Sequence, residues 1–190
     1  MAKDNIDRRQ IVLDTALKMI VENGIQAASM GKISKESGVA VGTIYHHFSS
    51  KEDLIRELYK EVNMKILKKF ISIPKGDKPY ETFCNLIKSI ISYGLENPDE
   101  YEFMERYSRN PVIGKALKME MEQMLRKESS NFFNNIPTKK NVKELPYDLS
   151  SIYISGAISE FIRAQIYEEI QVDNEHTDIF IKMIWNGLTK

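Results

Sequence analysis

Apolar residues recur along the chain at spacings of three and four, and runs of strict alternation are short, so the pattern predicts an all-α protein. Ile6, Ile11 (or Gln10), Leu13, Leu17 and Ile20 trace one face of a first helix, and Gly24 after Asn23 suits a left-handed stop. Ser29 is placed to cap a short second helix from Met30 to Ser37, which Gly38 ends, and a third runs from about Val41 to Phe48. Ser50, with the acidic Asp53 three positions on, has the form of a capping box. It opens a fourth helix in which Leu54, Ile55, Leu58, Val62, Ile66 and Leu67 carry the pattern to about Ile71.

Two prolines and a glycine between Ser72 and Pro79 predict a loop, and a fifth helix follows from about Tyr80 to Glu96. Asn97-Pro98-Asp99-Glu100 supplies cap, first-turn proline and acidic first turn for a sixth helix ending near Arg109. Asn110-Pro111 repeats the device for a seventh, reaching about Asn134, and the lysine- and proline-rich stretch Ile136 to Pro146 reads as a loop. Two last helices, Tyr147 to about Glu169 and about Glu175 to Leu188, carry apolar residues on more than one face and so need burial on two sides. A second subunit is the simplest cover for the side that the domain's own core leaves open, and Ile158, Ile162, Ile166, Phe180, Ile184 and Leu188 are the expected seam of a homodimer.

Composition narrows the chemistry. With 42% apolar and 28% charged residues the 190-residue chain is an ordinary globular one, and 27 basic against 27 acidic residues leave no bulk electrostatic argument for nucleic acid. The single cysteine, Cys84, excludes an internal disulfide and any site built on several thiolates. Neither a signal-peptide core nor a bilayer-length apolar run is present, so a cytoplasmic location without membrane contact is expected. For an enzyme, Cys84 or the histidines beside Glu102 and Glu105 would have to act, yet no nucleophile, base and orienting group stand at informative spacing. Nor do the adjacent His46 and His47 suit a metal, because consecutive helical residues point about 100° apart. No cofactor, metal or catalytic activity is expected.

The second and third helices, joined at Gly38 with Ile33, Val39 and Ile44 as a small core, form a helix-turn-helix candidate. The segment from Met30 to Leu54, with Gly38-Val39-Ala40-Val41-Gly42-Thr43-Ile44-Tyr45-His46-His47-Phe48 at its centre, closely resembles the DNA-binding signature of the TetR family. The resemblance covers about the first sixty residues, and beyond them only helix count, helix length and the Trp185-Asn186-Gly187-Leu188 ending. It implies a fold of about nine helices divided into a DNA-binding domain, residues 1–50, and a ligand-binding and dimerisation domain, residues 51–190. It also implies that Thr43, Tyr45, His46 and His47 face DNA, that Lys51 holds a phosphate, and that Ser29, Lys32 and Lys35 add backbone contacts. Hydroxyls, imidazoles and ammonium groups suit phosphate oxygens, and Val41 and Thr43 suit a thymine methyl. The sequence departs from the family pattern at Ala40, where a serine or threonine cap is usual, and at Val41, in a position often polar or basic. Few long hydrogen-bonding side chains are then left for bases, and indirect readout gains weight.

The resemblance further implies a ligand-responsive transcriptional regulator, a repressor released from a palindromic operator by an apolar or amphipathic effector. Phe83, Ile87, Ile90, Phe103, Met104, Tyr107, Met121, Met124, Phe161 and Gln165 are the candidates to surround such an effector, methionine and aromatic rings being adaptable apolar liners. Residues of this kind at helical spacing are also ordinary core, and a ligand-independent DNA-binding protein of the same fold is the alternative.

Overall fold

A computed structural model describes residues 2–73, 78–134 and 146–189. Nine α-helices lie among the described residues: α1 (Ala2–Asn23), α2 (Met30–Ser37), α3 (Val41–His47), α4 (Lys51–Ser72), α5 (Pro79–Glu96), α6 (Pro98–Tyr107), α7 (Lys115–Asn134), α8 (Tyr147–Ile166) and α9 (Asn174–Leu188). Most of the expected loop from Ile136 to Pro146, and the middle of that between Ser72 and Pro79, lie outside the described residues.

Packing gathers the chain into two compact units. The first takes residues 1–65 and 99–123, the second 66–98 and 124–190, so α4 and α7 each contribute to both. In the first unit α1 packs on α2 and α3, which also pack on each other. Leu13, Ala16 and Ile20 of α1, Ile33 of α2, Ile44 of α3 and Leu54 of α4 have no more than 1% of their surface exposed. Each large aliphatic side chain buried this way contributes about 1.5–3 kcal/mol, which is what fixes helices too short to persist alone.

In the second unit α5 packs against α8 and α9, and α8 against α9. Phe83, Leu86 and Ile87 of α5, with Ile181 and Ile184 of α9, are buried to the same degree. The Trp185 ring lies 5.5 Å from that of Tyr80 and 5.2 Å from that of Phe83, while Phe161 and Phe180 stack at 4.0 Å.

Two helix ends differ from the periodic pattern. Asn110 accepts from the Val112 amide at 3.0 Å, but the turn it caps is a single 3-10 turn, Pro111–Ile113, because Gly114 adopts φ 79° and breaks the path before α7 starts at Lys115. Helix α8 stops at Ile166 rather than near Glu169, and Glu168 takes a left-handed φ of 55° while the Glu169 amide returns to the Ala164 carbonyl at 2.8 Å.

Candidate functional site

The N-terminal turn between α2 and α3 is held by short polar side chains. The Ser29 hydroxyl accepts from the Lys32 amide at 3.3 Å, opening α2, and Gly38 closes it at φ 68°, a conformation that costs glycine little. Inside the turn the Ser34 hydroxyl donates to the Val39 carbonyl at 2.7 Å, and the Val39 amide donates to the Ser37 hydroxyl at 3.2 Å. Ala40 gives α3 no side-chain cap, and its carbonyl takes the Thr43 and Ile44 amides instead. The seven-residue α3 is therefore oriented by burial of Ile44 and, at its C-cap, Phe48, both fully enclosed.

What α3 leaves outside is informative. Val41 is 44% and Tyr45 53% exposed, and their spacing of four puts both on one helix face. Gly42 and His46 are exposed as well and Thr43 is half-buried. Ser29, Lys32 and Lys35 are exposed, and Lys51 is half-buried at the start of α4. That start is well capped: the Asp53 amide donates to Ser50 at 3.1 Å, and the Asp53 carboxylate accepts from the Ser49 amide at 2.8 Å and the Ser49 hydroxyl at 3.0 Å. The reciprocal half of the capping box thus falls on Ser49 rather than Ser50. A hydroxyl-and-lysine rim around an exposed aromatic helix face is suited to phosphate and groove contacts.

His47 behaves differently from its neighbours. Its ring is half-buried and, among the described residues, its Nε2 is buried without a hydrogen-bond partner, whereas Tyr45 and His46 are exposed. Burial first, then the adjacent His46 and Arg9, lowers its pKa from the ordinary 6.5 and favours the neutral ring. Arg9, which sequence reasoning did not single out, donates to Glu57 at 2.7 Å and to Glu61 at 3.4 Å, and its guanidinium lies 5.5 Å from the centre of the Phe48 ring. Its signal in the sequence was a cation set between the apolar positions Ile6 and Ile11 of the first helix.

Residues 12–58 match the model of the bacterial regulatory proteins of the tetR family. Over this segment the chain is similar to the tetR family. The fatty acid metabolism regulator protein of Bacillus subtilis is 46% identical over 50 residues, 26% of either chain. The matches to the first curated relatives span from 25% to 57% of those relatives' lengths. Over the whole chain the tetR-family fold is plain. A TetR family transcription regulator from Marinobacter aquaeolei superposes with a TM-score of 0.86 at 19% identity, covering 100% of this chain and 99% of its own. The regulator FadR from Bacillus subtilis, in complex with stearoyl-CoA, superposes with a TM-score of 0.74 at 22% identity, covering 94% of this chain and 98% of its own.

Within this tetR-family fold the residues singled out for an effector fall into both units. Phe103, Met104, Tyr107 and Met121 belong to the first, where Phe103 and Met121 are buried, the Phe103 and Tyr107 rings lie 5.6 Å apart, and the Asn63 amide approaches the Met104 sulfur at 3.8 Å. Asn63, 4% exposed and also donating to the Tyr59 carbonyl at 2.8 Å, is a buried polar group that apolar periodicity does not reveal. Phe83, Ile87, Ile90, Met124, Phe161 and Gln165 belong to the second unit. There Phe83 and Ile87 are core, Ile90 and Gln165 are half-buried, and Met124 is exposed.

The candidate seam residues differ in burial within the single chain. Ile158, Ile162, Ile184 and Leu188 are buried inside the second unit and Ile166 and Phe180 are half-buried, so this stripe packs against the chain's own helices. The uncovered apolar side chains of α8 and α9 are Leu149, Ile152, Tyr153, Ile179 and Met183. Both stripes have helical spacing, and only packing shows which is inside. Among the described residues no group of three or more His, Cys, Asp and Glu side chains is placed to hold a metal, and no helix is long and apolar enough to cross a membrane.

Proposed function

We propose that this chain is a DNA-binding transcriptional regulator: a homodimer that reads a palindromic operator with two copies of α3 and leaves it when an amphipathic small molecule binds the larger C-terminal part. In this reading residues 1–50 hold the DNA-reading surface and residues 51–190 serve ligand binding and dimerisation. The observation that carries it is the outer face of α3. Val41 and Tyr45 stay exposed on a helix whose other side is locked by Ile44 and Phe48, and a core-packing role for Tyr45 does not account for that. Ser29, Lys32, Lys35 and Lys51 supply backbone contacts, Tyr45, Thr43 and His46 the groove contacts, and His47 supports α3 from the inside.

Two further points support the finer parts. Leu149, Ile152, Tyr153, Ile179 and Met183 give the second unit an uncovered apolar face, which a twofold partner covers with its own copy. A regulator with this fold is known in complex with stearoyl-CoA, which supports an effector that joins an acyl chain to a polar head.

The test is to select bound duplexes from a random pool, then titrate long-chain acyl-CoA into the protein with and without the selected operator. The expected duplex is a palindrome with half-sites in successive major grooves or multiples of that spacing. By reciprocity, operator must weaken effector binding by the factor with which effector weakens operator binding, typically about 5–150-fold. Equal effector affinity in both titrations refutes release by that compound, and a pool that yields no preferred duplex refutes the DNA-binding reading.

A further inference from the structure

One guanidinium joins three helices at the C-terminal end of α3. Arg9 of α1 reaches Glu57 at 2.7 Å and Glu61 at 3.4 Å, both on α4, while lying 5.5 Å from the centroid of Phe48, the C-cap of α3. Gln10, next on α1, donates to the same Glu61 at 2.8 Å. The Phe48 ring stands 6.1 Å from that of His47, which in turn meets His46 edge-on at 5.5 Å. The arrangement is therefore a run of tilted and edge-on ring contacts from Arg9 through Phe48 and His47 to the exposed His46.

We propose that Arg9 is a positioning residue for DNA reading: pinned by Glu57 and Glu61, it clamps the Phe48–His47 end of α3 and so sets the angle at which Tyr45 and His46 are presented. The inference rests on the DNA-binding role given above. Seven residues cannot hold a helix in place by their own backbone bonds, and α3 has no side-chain N-cap. Ile44 anchors it at one point, which leaves its orientation open. Phe48 is the second anchor, and the planar guanidinium covers one part of its ring while its donors reach two carboxylates, a combination that a lysine ammonium does not reproduce.

The electrostatics fit the same picture. His46 on α3 and Arg9 on α1 are the titratable and charged groups facing His47, and Glu57 and Glu61 on α4 face Arg9. A cation at this spot opposes protonation of a ring whose Nε2 has no hydrogen-bond partner among the described residues. The clamp also has an outside connection within its own unit. Glu61 meets Lys65 at 3.4 Å, and Lys65 meets the buried Glu100 of α6 at 2.6 Å, so the carboxylate that holds Arg9 is shared with an ion-pair ladder along α4.

The experiment uses the full chain as wild type, Arg9→Met, Arg9→Lys and the Glu57→Gln, Glu61→Gln double variant, the last keeping the cation but loosening its hold. Operator affinity is measured on a duplex selected with wild-type protein, helix content by circular dichroism, and the His47 titration by proton NMR with His46 and His176 as references. Arg9→Met is expected to weaken operator binding by about 2- to 30-fold, the range for residues that act without touching the ligand. It should also raise the His47 midpoint relative to His46, and Arg9→Lys should restore that midpoint while recovering only part of the affinity. Should Arg9→Met not fold, the double variant carries the test, with reduced affinity at unchanged helix content and a His47 midpoint no higher than in wild type. A folded Arg9→Met protein with wild-type operator affinity and an unmoved His47 overturns the proposal, as does a folded double variant with undiminished affinity. Wild-type protein that selects no duplex at all removes instead the regulator reading on which the proposal stands.

Discussion

Adding one methyl group at Gly94 tests where Ile162 points. A Cβ at Gly94 of α5 would lie 2.8 Å from Cδ1, 3.1 Å from Cγ2 and 3.4 Å from Cγ1 of Ile162 on α8, a side chain only 3% exposed. Two opposing effects decide the sign. Replacing glycine by alanine in a helix favours folding by up to about 1 kcal/mol, whereas forcing a methyl into a packed seam costs about 1–3 kcal/mol. The Cδ1 end of Ile162 can rotate away, but Cγ2 sits on a β-branched carbon with one strongly preferred rotamer in a helix. Relief therefore asks α5 and α8 to separate, and the net expectation is destabilisation by about 1 kcal/mol.

Urea unfolding followed by circular dichroism on wild type, Gly94→Ala, Ile162→Val and the double variant measures this directly. Ile162→Val alone is expected to cost about 0.5–1.5 kcal/mol. It also removes the atom nearest the new Cβ, so the double variant should lose less than the sum by at least about 0.5 kcal/mol. A Gly94→Ala protein that is more stable than wild type, or strict additivity in the cycle, would show that Ile162 does not press on α5.

Four other outcomes are expected. Glu168→Gly should stabilise the second unit by about 0.5–1 kcal/mol in urea unfolding, because a left-handed φ of 55° strains a residue with a Cβ and not glycine. Ile152→Lys with Met183→Glu should shift the protein to monomer in sedimentation at micromolar concentration while leaving its helix content intact, since both side chains are more than 60% exposed in the single chain. His47 has a lowered folded-state pKa, so the unfolded chain binds the extra proton and stability falls as pH drops below the ordinary 6.5; unfolding midpoints of His47→Gln should lack this dependence between about pH 7.5 and 5.5. Lys51→Ala should weaken operator binding about equally across sequences and lower the salt slope by about 1, whereas Tyr45→Ala should change which duplex is preferred.

The N-terminal half of the fold was legible because its signals are local. Ser29, Gly38, Ser50 and Asp53 each act within a few residues, and the structure sets α2 between Met30 and Ser37 with the cap and stop those residues predict. Legibility fades where a choice depends on distant packing. In α8 the stripe through Ile158 and Ile162 and the stripe through Leu149, Ile152 and Tyr153 both have apolar residues at helical spacing. The deciding contact is Ile162 against Gly94, some sixty-eight positions earlier, where the absence of a side chain lets the helices approach. Asn110-Pro111 misleads for the opposite reason: its capping chemistry is real, but Gly114 at positive φ ends the turn it starts. Arg9 was invisible because its meaning comes from Glu57, Glu61 and Phe48 together, at separations no periodic template samples.

The modest chemistry of α3 is itself an argument for pairing. Its exposed face offers a valine, a glycine, a tyrosine and a histidine, with Thr43 half-buried, and none of these forks onto guanine or adenine as arginine, asparagine or glutamine does. On the regulator reading proposed above, a single copy would have phosphate contacts from Lys32, Lys35 and Lys51 and little discrimination between bases. Joining two copies makes the second contact intramolecular and adds a spacing requirement that reads DNA shape between half-sites as well as bases within them. On that reading, operator recognition and the uncovered stripe of α8 and α9 would be two halves of one requirement. The monomeric Ile152→Lys, Met183→Glu protein should lose sequence preference on DNA even though neither substitution touches α2 or α3, and undiminished discrimination by that monomer would mean that α3 reads its site alone.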